Sequence, residues 1–236
     1  MGKIDTDALD PAIEPESEKF HRLARVTLGA LPIAGAPLLE VFNSVLESPL
    51  NKRKTEAMIK IGEVINDLLD KGVVTLDGLQ DNDAFISTVS EVCSITLRNH
   101  EEEKLKALRN AVKNSALSSC PPDDYRQMFL SFIDVCTVTH IRLLTFLDDP
   151  EDWGRKIGVT FSQGWGMGAV SGAVRSALPE FYANEDLFKI VWTDLFQRGL
   201  ISREAMDSVE SRTPTLSSIT TRIGRQLIEF ISDVEQ

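Results

Sequence analysis

Residues 121–150, PPDDYRQMFLSFIDVCTVTHIRLLTFLDDP, read as the longest single element of this 236-residue chain. Pro121 and Pro122 open it, and Asp123 and Asp124 put negative charge in the first turn, where the helix dipole favours it. Phe129, Phe132, Ile133, Cys136, His140, Leu143, Leu144 and Leu147 then recur at helical spacing, which predicts one apolar stripe on a central helix. Asp148, Asp149 and Pro150 end it.

Upstream, the same periodicity predicts more helices. Leu38, Leu39, Phe42, Val45 and Leu46 give a core helix over 37–47. Pro49 suits the first position of a second helix of about twenty residues, with Met58, Ile61, Ile65, Leu68 and Leu69 inward and Gly72 as its stop. Asn82 is placed to cap a third, striped by Phe85, Ile86, Val89, Val92, Cys93 and Thr96. Asn99, with Glu102 three residues on, reads as the cap of a fourth carrying Leu105, Leu108 and Val112.

Downstream, residues 151–168 contain Gly154, Gly158, Gly164, Gly166 and Gly168 and read as a linker. Beyond it come a short helix over 169–178, a second capped by Asn184 and apolar almost all round (Leu187, Ile190, Val191, Trp192, Leu195, Phe196), and a possible strand through Ser218, Ile219 and Thr220. A last helix carries Ile223, Leu227, Ile228 and Ile231. That order matches a winged helix. The expected architecture is mainly α: an acidic arm over 1–25 whose composition predicts disorder, a helical bundle body over 26–150, the linker, and a small winged-helix-like segment over 169–236.

Composition narrows the function classes. Hydrophobic residues make up 42% and charged residues 26% of the chain, ordinary values for a packed domain. The uncharged run Val26–Leu39 is too short and too rich in Gly and Pro to span a bilayer, which takes about 20 apolar residues. Three widely separated cysteines, Cys93, Cys120 and Cys136, lack metal or redox spacing and fit a reducing cytoplasm. A net charge of −11 disfavours phosphate backbones as partners. The C-terminal segment is itself acidic, with seven Lys and Arg against ten Asp and Glu. A nucleic-acid reader would have to gather Arg203, Arg212, Arg222 and Arg225 on one side. Lys52, Arg53 and Lys54 follow an apolar helix and are the candidate contact with an anionic membrane surface, a conditional partner at most.

No catalytic, cofactor-binding or metal-ligating set emerges. The stretch GVTFSQGWGMGAV (158–170) lacks the spacing of a phosphate loop. His140 alone among the histidines falls on an apolar stripe, where a buried structural imidazole is the ordinary reading. Asp134, six residues away, lies on another helical face. Cys120, beside Ser118 and Ser119 in an interhelical turn, lacks a nucleophile-elbow pattern and reads as incidental.

The runs GAPLLEVFNSVLESPLNKRKTE (35–56), LRNHEEEKLKALRNAVKNSAL (97–117) and THIRLLTFLDDP (139–150) resemble a widespread family of uncharacterised bacterial helical proteins. RGLI (198–201) and TRIGRQLIEFI (221–231), closing a helical chain, resemble the abortive-infection alpha proteins, which implies a place in phage defence. Residues and resemblance together predict a non-catalytic interaction protein that contacts a protein partner, or a second copy of itself, through its C-terminal segment. The alternatives are a winged-helix nucleic-acid regulator and a conditional membrane-surface protein.

Overall fold

A computed structural model describes residues 36–159, 170–205 and 217–233, without the side chains of residues 36–48, Ser171, Phe181 and Tyr182. The described residues are mainly α-helical, with one antiparallel bridge, Ile201 to Thr220. Among them no helix is long and apolar enough to cross a membrane.

Helix α1 runs unbroken over Ala36–Asp70 and contains Pro49. Two helices meeting at Pro49 were the expectation. The proline instead sits inside one helix, where it removes a single backbone donor. Gly72 ends α1 in the left-handed region at φ +67, with its N–H on the Leu69 carbonyl and that of Val73 on Leu68. Thr75 caps the short α2 (Leu76–Gln80), and Asn82 caps α3 (Asp83–Arg98) through a 3.0 Å bond from the Phe85 N–H.

Asn99 has the opposite role to the one its spacing predicts. Its side-chain amide donates to the Ile95 carbonyl at 2.7 Å and so closes α3. Helix α4 (Glu102–Ser115) begins at Glu101 without a side-chain cap bond.

The stretch expected as one central helix is two, α5 (Asp123–Val135) and α6 (Val138–Asp148), broken at Cys136 and Thr137. Thr137 and His140 form a capping box that gives the chain a competitive reason to start afresh there. Lys104 of α4 satisfies the freed carbonyls of Asp134 and Cys136 at 2.9 and 2.8 Å. Pro150 opens a further helix, α7 (Pro150–Ile157), capped by Asp149, where a linker was expected. Residues 160–168 of that expected linker lie outside the described residues, as does the acidic arm.

Helix α8 (Val170–Ala177), a 3-10 turn (Pro179–Tyr182) and α9 (Glu185–Gln197) follow. The chain then pairs residues 200–202 with 219–221 through Ser202 N–H to the Ile219 carbonyl and Thr221 N–H to that of Leu200, before α10 (Arg222–Ile231). Residues 206–216, with Arg212, lie outside the described residues.

Two helices organise the packing. Helix α4 meets α1, α3, α5, α6 and α10, while α6 also meets α7, α8, α9 and α10. Ile95, Ala111, Ile133, Leu143, Val191, Leu195 and Leu227 are inaccessible to solvent and belong to one continuous core. That core joins side chains from both sides of residues 151–168. Each Val, Leu or Ile side chain so buried contributes about 1.5–3 kcal/mol relative to exposure.

Candidate functional site

Three places could carry function: a groove beside α1, the polar corner between α5 and α6, and the surface of the C-terminal helices.

The groove has a volume of about 430 Å³ and lies where α1 meets α3 and α4. Ala57, Ile61, Val92, Leu105 and Leu108 give it an apolar floor, and Arg53, Lys60, His100 and Arg109 reach its rim. Two of the rim cations are paired with carboxylates. Lys60 pairs with Glu63 at 2.9 Å and Arg109 with Glu102 at 2.8 Å. Arg53 reaches the Leu97 carbonyl at 3.5 Å. Its sequence neighbour Lys52 is exposed and 3.8 Å from Glu56, and Lys54 is also exposed. The basic triplet is therefore divided: two lysines face solvent while Arg53 turns to the groove.

A second cleft of about 350 Å³ lies between α4, α6, α7 and the end of α10, with Trp153 in its wall. Two of its cations are paired with carboxylates. Arg142 binds Glu180 at 2.5 Å and Lys156 binds Asp152 at 2.6 Å.

The corner between α5 and α6 contains the one histidine that sequence periodicity put on an apolar face. His140 is buried, and its Nδ1 lies 3.1 Å from the Thr137 N–H donor and 2.9 Å from Thr137 Oγ1. Its Nε2 stands 3.4 Å from Asp194 Oδ2 on α9. Asp194 also accepts from Arg198 Nε at 2.7 Å, and the Arg198 guanidinium lies 5.2 Å from the centre of the Phe132 ring. Asp194 is the partner that sequence reasoning missed. It is 54 positions away on another helix, beyond the reach of any local spacing rule. Burial, partly opposed by the Asp194 carboxylate, holds the His140 pKa below its ordinary 6.5.

Thr137, His140 and Asp194 share the residue types of a hydrolytic triad, but their bonds belong to a helix cap and a helix–helix tie. The nearby Cys136 thiol is pushed up to about 12 by burial, the wrong direction for a nucleophile. Burial also raises the thiols of Cys93 and Cys120. Among the described residues no group of three or more His, Cys, Asp or Glu could hold a metal ion.

The C-terminal arginines differ in setting. Arg203 is buried, with its carbonyl on Trp192 Nε1 at 3.0 Å. Arg225 is 3.3 Å from Asp148 and bonds Ser218, while Arg222 is exposed and Arg212 lies outside the described residues. Helix α9 departs from its expected all-round burial. Phe188, Val191, Trp192 and Leu195 are in the core, whereas Leu187 is 39% and Ile190 65% exposed. They stand one helical turn apart on its outer face.

No family model matches the chain, and no curated protein or solved structure matches it either.

Proposed function

We propose that this chain is a non-catalytic interaction protein that meets a protein partner, or a second copy of itself, through the outer face of α9. The observation that carries this reading is the pairing of Leu187 and Ile190 on the surface of a helix whose other face is fully anchored. Phe188, Val191, Trp192 and Leu195 fix the helix, so the two outward side chains stand on a rigid base and need little ordering on contact. Burying their remaining exposed surface in an interface would gain a corresponding part of the about 1.5–3 kcal/mol that complete burial of such a side chain contributes. The defence setting rests on the sequence resemblance alone.

A photo-crosslinking residue at Thr193, on the exposed surface of α9, tests the contact. The expected result is a discrete adduct, with a second copy or with another protein, absent when the same residue is placed at exposed Gln127 on α5. Equal labelling from both positions would remove the case for α9.

The nucleic-acid reading loses support from the burial of Arg203 and the pairing of Arg225 with Asp148. Its test is retardation of duplex DNA at about 50 mM salt, where phosphate contacts are strongest. A conditional membrane role draws on exposed Lys52 and Lys54, which share the α1 surface with Leu50 and Met58. Binding to anionic vesicles, lost when Lys52, Arg53 and Lys54 become Gln, would favour it.

A further inference from the structure

The corner at His140 has a chemistry that the interaction reading does not use. A backbone N–H can only donate, so the 3.1 Å contact from Thr137 N requires His140 Nδ1 to be an unprotonated acceptor. The ring proton then sits on Nε2, directed at Asp194 Oδ2. One neutral tautomer therefore closes the N-terminus of α6 and ties α6 to α9.

A second proton changes this arrangement. It can go only to Nδ1, where it converts the acceptor into a donor facing the Thr137 N–H. The bond from the Thr137 N–H is then lost, and the new N–H faces that donor with the Thr137 hydroxyl, 2.9 Å away, as its acceptor. Asp194 would attract the imidazolium, but its Oδ2 already serves Arg198 at 2.7 Å. Arg198 on α9 and Lys104 on α4 are the cations that act against the new charge. From α5 the Phe132 ring stands edge-on to the imidazole at 6.1 Å and offers no countercharge.

The geometry points to an acid-sensitive latch: neutral His140 holds the α5–α6 corner and α9 together, and its protonation releases the start of α6. The sign follows from linkage. An imidazole freed from the corner takes up its proton near the ordinary 6.5, whereas in the closed corner burial holds its pKa lower. Closure is favoured fully above that ordinary value and is lost as pH falls through the lower one. The latch stands whether or not α9 meets a partner.

Amide hydrogen exchange on the full chain at about pH 7.5 and about pH 5.5, corrected for intrinsic rates, reads the latch directly. Protection of the Thr137 and His140 amides is expected to fall, by up to roughly tenfold, at the lower pH, while α3 keeps its protection. His140→Gln, which retains a side-chain acceptor at the same capping position without titrating, is expected to remove this pH dependence. A second readout needs no variant: in NMR titration of the wild type, His140 should titrate below the ordinary 6.5. Unchanged protection in the wild type, an equal fall in His140→Gln, or a His140 that titrates at or above the ordinary 6.5 overturns the latch.

Discussion

The side-chain amide nitrogen of Asn114 lies 2.8 Å from the carbonyl oxygen of Phe230. It is also 3.1 Å from that of Glu229 and 2.9 Å from that of Ser232, so a residue of α4 satisfies the C-terminus of α10. Asn110 adds a bond to the Ile231 carbonyl at 2.8 Å, and Lys113 pairs with Asp233 at 2.6 Å, holding that carboxyl below its usual pKa. The last described helix is thereby stitched to the middle of the chain. Asn114→Ala should cost about 1–3 kcal/mol, the usual penalty for buried groups left unpaired. Asn114→Asp should cost more, because a carboxylate would face carbonyl oxygens at the negative end of a helix. Urea unfolding midpoints check the order.

Gly224 tests how closely α10 approaches the preceding segment. A Cβ there would lie 2.1 Å from the Leu200 carbonyl oxygen, which is backbone and bonded to the Thr221 N–H. Gly224→Ala should destabilise by about 3 kcal/mol or more as an overpacked site. Gly172 in α8 has nothing within 4 Å of an added Cβ. Gly172→Ala should therefore stabilise, by up to about 1 kcal/mol. Thermal melts of the two variants should move in opposite directions.

Much of this architecture is legible in residues taken a few at a time. Asn82 and Gly72 punctuate helices where their chemistry predicts, and the periodic stripes identify most core positions. Local chemistry fails where it is ambiguous. Asn99 can accept from the following turn or donate to the preceding one, and only tertiary packing decides that it donates. Residues 123–148 keep a helical apolar stripe through the break at Thr137 because both helices face the same core. The tie from His140 to Asp194 and the exposure of Ile190 depend on how α9 is rolled against α6, which periodicity does not specify.

Lys104 is buried with its ammonium on two backbone carbonyls at the α5–α6 break. Lys104→Met keeps the apolar stem but removes both bonds, and hydrogen bonds to a charged group contribute about 1.5–3 kcal/mol each. A loss of about 2–4 kcal/mol is expected, with hydrogen exchange of α5 rising first. A cost below 0.5 kcal/mol would show that the corner holds without it.

Thiol labelling of the native protein should separate the cysteines. Cys136, buried and with its thiol pushed up to about 12, should react far more slowly than half-buried Cys93 and Cys120. Mass spectrometry after brief alkylation near pH 8 should find Cys136 unmodified until the protein unfolds.

The central claim is that the outer face of α9 makes a protein contact. Affinity capture from the cells that make the protein, with the wild type and Leu187→Glu/Ile190→Glu as paired baits, measures it most directly. Both side chains already face solvent, so the double variant should retain the wild-type circular dichroism and melting temperature. At least one protein, counting untagged copies of this chain, should be recovered in near-stoichiometric amount by the wild type and lost with the folded double variant. Recovery of the same proteins in the same amounts by both baits would contradict the account.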